Sequence, residues 1–431
     1  MTSEVNIFIF RRDFRFIDNT SLNKLAQSSK LPIIPIFIFN HNQLTSKYAS
    51  TRAISFMVGA LVSLKVYLYY DTDDINVLEM LNKKFKINII SFNRDYTPYA
   101  KNRDDRIIKW CSKKEINIIA ENDYSLLPMD REWRVFTPYY NHCLKELPEK
   151  FVIKNPQMKL VTRTVEKYTK EIAKLIETKS NISRKNALEI LSRIKNNEFA
   201  NYDKTRDYMF MNSTTRLSAY IKFGLVSIRE VYNAVNNRQH GIIRELLWRD
   251  YYARIVYFNP RVLQRESLKQ YELQWNNKYF EIWTKGQTGF PIVDAAMREL
   301  NTTGYMHNRC RMIVASFLVK DLHCDWRLGE RYFATNLIDY DPSSNSGGWQ
   351  GVSSVGADAS QPYFRIMNPW RQAKKHDPDC IYIKHWIPEL KDEPPKVIHN
   401  WFKSYNKSYI KPIIVHEIAA NEYKQLYMQR Q

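Results

Sequence analysis

The chain has 431 residues, 44% hydrophobic and 26% charged, with a formal net charge of +20. That is about two to three times the usual domain length, so two domains are expected. No apolar run approaches the roughly 20 residues of a membrane helix, and five scattered cysteines without a CxxC pair argue against both a disulfide frame and a metal site.

The opening "MTSEVNIFIFRRDFRF" lacks the apolar region and cleavage site of a secretory signal. The chain is therefore expected to be soluble and intracellular, in cytoplasm, nucleoid or nucleus according to the host, and not secreted or bound to a membrane. The positive charge suits a polyanionic partner, because a basic face gains affinity by releasing counterions from phosphates. A Lys- and Asn-rich proteome would produce the same excess.

Residues 5 to 123 alternate apolar runs, "VNIFIF", "PIIPIFIF", "KVYLYY", "INIISF" and "INIIA", with helical patterns such as "SLNKLAQSS" and "NRDDRIIKWCSK". This is the rhythm of a Rossmann-like, five-stranded parallel sheet covered by helices. The first run leads into "RRDFRFIDN" with no GxGxxG, and no P-loop follows, so a dinucleotide site in this half is disfavoured. From Leu126 to Asn197 the chain turns polar and lysine-rich and reads as a connection. Beyond Phe199 long helical patterns dominate, and eight of the ten tryptophans, Trp248 through Trp401, fall there. The expected organisation is an α/β domain over 1–125, a connector over 126–197 and an all-α domain over 198–431.

Within the helical half, "RELLWRDYYAR" sets Glu245, Trp248 and Arg249 at i, i+3 and i+4, which puts a carboxylate, an aromatic face and a guanidinium on one side of a helix. A surface ion pair beside a half-buried tryptophan is the simpler account of that trio alone. In "GYMHNRCRMIVASFL", Ile313, Val314, Phe317 and Leu318 face a core, while Asn308, Arg311, Met312 and Ala315 line a neighbouring face. Asn308 offers donors and an acceptor suited to the imide edge of a heterocycle, or to an interhelical hydrogen bond. Thr214, Thr215 and Ser218 cluster at a helix start, where an anion such as a diphosphate is favoured, although N-capping is the commoner use of such hydroxyls.

The chain has only 11 glycines, yet three lie in "DYDPSSNSGGWQG", at Gly347, Gly348 and Gly351. This reads as an extended loop that aims Asp339 and Asp341 one way, with Asn345 beyond and glycines permitting close approach to a flat ligand. The carboxylates suit ribityl hydroxyls or a ring N–H. A calcium loop is the alternative for any DxD, but the EF-hand pattern is not met.

Together these segments resemble the photolyase and cryptochrome family, and class I cyclobutane pyrimidine dimer photolyases most of all. The resemblance rests on "TTRLSAYIKFG", "ELLWRDYY", "GQTGFPIVDAAMRELNTTGYMHNRCRMIVASFLVKDL", "DWRLGERYF", "DYDPSSNSGGWQ" and "PYFRIMNPWRQAKKHDPD", with "FRRDFRFIDNTSL", "NRDYTPYAKNRD" and "VFTPYYNH" earlier. It implies an α/β antenna domain and a helical domain that binds FAD, with no metal. Carried over, Tyr202, Thr214, Thr215, Arg216, Leu217 and Ser218 would hold the FAD phosphates and ribityl chain. Arg249, Asn308 and Arg311 would complete the pocket, with Arg311 paired to Asp339, Asp341 at the flavin rings and Asn345 facing N5.

Trp349, Trp326 and Trp275 resemble the family's electron-transfer chain, with Trp275 outermost; as residues they could equally be core aromatics. The implied reaction is light-driven splitting of a pyrimidine dimer flipped out of UV-damaged DNA. Glu245 would hydrogen-bond the dimer, Trp248 would stack on it and Met312 would line its pocket. Tyr252, Asn308, Arg206, Arg309, Arg365, Gln372 and Lys375 fall at family DNA-contact positions. The protein would act as a monomer.

"MHNR", with Asn308 after His307, is similar to the dimer-repair group, whereas six-four photolyases carry a second histidine there. Signalling cryptochromes usually carry a long tail beyond the core, and this sequence ends at Gln431 soon after it; a cryptochrome-like light receptor without repair is the alternative. Two departures stand out. Gly351 replaces a tryptophan that walls the dimer pocket in relatives. Tyr99 and Ala100 stand where folate-binding members have Asn-Glu, which leaves the second, antenna chromophore unassigned and a deazaflavin type open.

Overall fold

The structure, a computed structural model, describes residues 3–161, 169–235, 240–264, 275–357 and 365–428. The chain divides into two compact units. One comprises Met1–Glu132, Tyr140–Ala200 and Thr215–Pro260, the other Trp133–Tyr139, Asn201–Thr214 and Arg261–Gln431. Among the described residues no helix is long and apolar enough to cross a membrane.

The first unit is built on strands β1 (Glu4–Ile9), β2 (Ile33–Asn40), β3 (Tyr67–Asp71), β4 (Lys86–Arg94) and β5 (Asn117–Asn122). All pairings are parallel, in the order β3-β2-β1-β4-β5. The central strands are buried on both faces, which is why they read as unbroken apolar runs rather than alternations. Helices α1 (Thr20–Ser28), α2 (Thr51–Leu64), α3 (Asp74–Lys84) and α4 (Pro98–Lys113) connect them, and each starts at a side-chain cap, from Asn19, Ser50, Asp73 and Thr97.

The helical part of this unit is tied to the sheet by buried charge. Arg229 donates to Asp18 and Asp123, and Arg15 pairs with the same Asp123. Burial alone would raise the Asp123 carboxyl, but the two guanidinium groups hold it below its ordinary value. Gly224 is needed at this joint. Its φ is +66°, and a Cβ would lie 2.3 Å from the Arg12 carbonyl oxygen. The long helix α5 (His240–Phe258) belongs to this unit.

The second unit is helical among its described residues. Its core forms around α7 (Asn308–Lys320), which packs against α6 (Pro291–Thr303), α8 (Trp326–Asn336), α9 (Pro342–Val352), α10 (Pro369–His376) and α11 (His416–Met428). From Ile313 to Lys320 every residue of α7 is buried. Ala315, expected beside Asn308, Arg311 and Met312 on the face next to the core-facing one, is therefore in the core at 3% exposure, because five helices pack around the C-terminal part of α7.

The glycine-containing stretch corrects another expectation. It is not an extended loop: Pro342–Val352 is the helix α9. Asp341 is its N-cap, accepting from the Ser344 N–H at 3.0 Å and the Ser343 hydroxyl at 2.6 Å, with Pro342 at the first helical position. These start signals, together with burial of Ser346, Trp349 and Gln350, outweigh a glycine penalty of about 1 kcal/mol each.

Candidate functional site

Two side-chain pairs of the second unit tie α7, α8 and α9 and the turn before α9: Arg311 with Asp339, and Asn345 with Glu330. Arg311 donates from Nη2 to both Asp339 oxygens, at 3.0 and 2.8 Å, and from Nε to the Met306 carbonyl at 2.9 Å. Burial works against the Arg311 charge, but Asp339 more than offsets it and raises the guanidinium above its ordinary value. Asn345 donates its amide N–H to the Glu330 backbone carbonyl at 3.0 Å and to the Glu330 carboxylate at 2.9 Å. Both donor contacts use Nδ2, so the amide is oriented and Oδ1 is presented as an acceptor.

One turn after Asn345 on the same helix face comes Gly348. Among the described residues a Cβ there would meet nothing within 4 Å, and the same is true of Gly351. The face of α9 beside the oriented amide is therefore bare. A flat heterocycle with a hydrogen-bond donor on its edge fits that combination of open space and fixed acceptor. Asp341, by contrast, commits Oδ1 to capping the helix.

Trp349 is 2% exposed and Trp326 likewise 2%, while Trp275 is half-buried against the same core. Trp349 packs closely on α8 because Gly329, three residues after Trp326, has no side chain: a Cβ there would be 2.1 Å from the outer edge of the indole. The rings Trp349 meets edge-on are Phe333, at 5.1 Å between centroids, and Trp283, at 6.2 Å.

Asn308 is exposed as the first residue of α7, and Met312 is half-buried one turn on. His307 caps that helix, its Nδ1 accepting from the Arg309 N–H at 3.1 Å, and burial lowers its pKa to about 4. Arg309 is paired with Asp207 at 2.6 Å. Arg365 is exposed, and its carbonyl accepts from the buried Lys320 ammonium at 3.0 Å. Gln372 is half-buried and Lys375 exposed on α10.

Tyr202 and Arg206 sit on or beside a four-residue helix of the second unit, with the Arg206 guanidinium 5.9 Å from the Tyr202 ring centre, and Thr214 ends that segment half-buried. In the first unit Thr215 accepts from the Leu217 N–H at 3.4 Å, and Arg216 has φ +52°. Leu217 is buried, and Ser218 opens a helix of only five residues.

On α5, Glu245 and Trp248 are half-buried, and Trp248 stacks on Tyr252 at 5.5 Å. Arg249 lies 3.4 Å over the Tyr124 ring and donates to the Tyr124 carbonyl and to Asp250. Arg249 and Tyr124 help line a small cleft that also takes in Arg11, Arg12, Asn93 and Asp95. It sits beyond the ends of β1 and β4, where the strand order reverses direction, the usual ligand position of an open parallel sheet.

Sequence reasoning missed Glu330, Gly329, Trp283, Tyr124 and Asp207. Glu330 lies 15 residues before its partner Asn345, and no local periodicity couples the two. The only signal was a glutamate inside "WRLGERYF", where a buried helix face would want an apolar residue.

Two family models match the chain: DNA photolyase over residues 6–157 and the FAD binding domain of DNA photolyase over residues 242–429. The chain is 34% identical over 455 residues to a deoxyribodipyrimidine photo-lyase of Buchnera aphidicola subsp. Acyrthosiphon pisum, covering 95% of this chain and 94% of that one. An archaeal photolyase from Sulfolobus tokodaii, solved with two FAD molecules, superposes with TM-score 0.89 at 36% identity over 99% of this chain and 100% of its own. A Synechocystis cryptochrome superposes with TM-score 0.87 at 25% identity, covering 99% of each chain. With both halves matched and near-complete relatives above 30% identity, the chain is an FAD-binding member of the DNA photolyase family.

Proposed function

We propose that this member of a light-driven DNA repair family splits cyclobutane pyrimidine dimers, acting as a monomer on UV-damaged DNA. The observation that carries the reading is the bare face of α9 beside Asn345, whose amide is turned by Glu330 to present an acceptor. FAD, when bound there, supplies the light-absorbing electron donor. Asn345 Oδ1 accepts a hydrogen bond from a protonated ring nitrogen and so favours the reduced cofactor. Arg311 and Asp339 fix the turn before α9, and the resemblance alone assigns Arg249, Asp341, Tyr202 and the segment from Thr214 to Ser218 to the rest of the cofactor. Trp349, Trp326 and Trp275 relay electrons to the site.

Photolyases take the damaged bases out of the stack, which costs a few kcal/mol and less at a lesion. Glu245 hydrogen-bonds the extruded dimer, Trp248 stacks on it, and Asn308 and Met312 line its pocket. Arg206, Arg309, Arg365, Gln372, Lys375 and Tyr252 hold the flanking strand, which makes affinity salt-dependent. Asn308 supports dimer specificity because the resemblance places a histidine there in six-four enzymes. The cleft beyond β1 and β4, with its arginines and Tyr124, suits a flat anionic second chromophore. The Sulfolobus tokodaii relative carries a second FAD described as a novel light-harvesting cofactor.

The test is a lesion panel. The flavin-loaded, reduced protein should repair an oligonucleotide carrying a cyclobutane dimer under blue light and leave a six-four photoproduct untouched. Repair of the second lesion alone would overturn the assignment, and repair of neither would favour the light-receptor reading.

A further inference from the structure

The pairing of Arg309 with Asp207 sits oddly beside a phosphate-binding role for Arg309. A carboxylate already occupies the group that a phosphate would need. Burial raises the Asp207 pKa, but the guanidinium groups of Arg309, which bonds it, and of Arg206 more than offset that and leave the carboxyl below its ordinary value. Lys375, exposed on α10, lies beside His376.

The contact itself is of an exchangeable kind. It is a single bond, Nη2 to one carboxylate oxygen, at 2.6 Å, and not the two-point fork that guanidinium and carboxylate can form. The side chains are 16% and 38% exposed, so water and an incoming anion can reach the pair. A phosphate offers several oxygens and can take the fork that Asp207 leaves unused.

We propose that Asp207 is a resident competitor for DNA phosphate, occupying Arg309 in the free protein and yielding it when a strand is fixed by a bound lesion. This rests on the reading of Arg309 as a strand contact. In undamaged DNA no extruded base anchors the strand, so a passing phosphate has to displace Asp207 unaided and usually does not. In the lesion complex the anchored strand holds its phosphate against Arg309 at high effective concentration, and the exchange goes through. Asp207 thus subtracts one phosphate contact from non-specific binding while leaving specific binding nearly intact, which widens the ratio between them.

The experiment measures affinity of the full flavin-loaded protein for one duplex with and without a cyclobutane dimer, across salt, for wild type, Asp207→Asn, Arg309→Gln and the double variant. Freeing Arg309 should add about one phosphate contact on undamaged DNA. The slope of log K against log salt should steepen by about 0.9, and affinity should rise about fivefold near 0.15 M salt. Affinity for the lesion duplex should change less than twofold, and the double variant should match Arg309→Gln. An unchanged or lower affinity of Asp207→Asn for undamaged DNA would overturn the proposal. So would loss of flavin content or melting temperature in that variant, which would make the pair a structural staple. An Arg309→Gln variant that keeps wild-type affinity and salt slope on both duplexes would instead sink the strand-contact reading itself.

Discussion

Replacing Gly348 with alanine should strengthen the free protein and weaken its hold on FAD. Gly348 lies inside α9 with no left-handed φ, and an added Cβ meets nothing within 4 Å. Removing an interior glycine from a helix is worth about 0.8–1 kcal/mol when nothing clashes. The cofactor-free protein should therefore melt about 2 °C higher, since about 1 kcal/mol shifts a domain of this size by that order. The same methyl projects beside Asn345 into the space assigned to the ring. Overfilling a fitted site costs about 1–3 kcal/mol, or about a 5- to 150-fold loss of affinity. Thermal unfolding of stripped protein and titration with FAD read the two effects separately. A stabilised variant that binds FAD as tightly as wild type would refute the claim that this face of α9 is the ring's bed.

Gly329→Ala should do the reverse to the protein: its Cβ would meet the buried Trp349 indole at 2.1 Å and Leu318 at 2.7 Å. Displacing that ring should cost a net ~1–2 kcal/mol after the helix gain and slow light-driven flavin reduction; unchanged melting and photoreduction would count against the packing described. His307 carries an acid limit. Its folded pKa, about 4, lies below the ordinary 6.5, so its contribution is present above pH 6.5 and lost as pH falls through 4, up to about 3 kcal/mol. His307→Asn keeps a capping acceptor and should flatten stability between pH 6.5 and 4; an identical acid profile would contradict the assignment. At Gly351 an added Cβ meets nothing within 4 Å among the described residues, and Gly351→Trp should tighten binding to dimer-containing DNA; weaker binding would argue that the open wall suits this protein's substrate.

The sheet was readable in advance because β1, β2 and β4 are buried on both faces and so leave unbroken apolar runs. The same logic failed at α9, where glycines suggested a loop although Asp341 and Pro342 together carry a strong helix start. Pairs such as Arg311 with Asp339, 28 residues apart, came from resemblance alone, since spacing says nothing at that range. Asn345 was named from resemblance, but its orientation depends on Glu330 in a different helix. Nor does any local signal place 215–260 with the sheet. Within that unit Arg229 reaches Asp18 and Asp123 across more than 100 residues.

The central claim is that the bound, reduced flavin drives repair of a pyrimidine dimer in light. Its most direct test follows recovery of thymine absorbance when UV-irradiated oligothymidylate is mixed with the purified, chemically reduced protein under blue light, beside a dark control. Recovery in light and none in the dark is the predicted result. A flavin-loaded protein that photoreduces normally yet restores no thymine would contradict it and leave a light receptor built on the same fold.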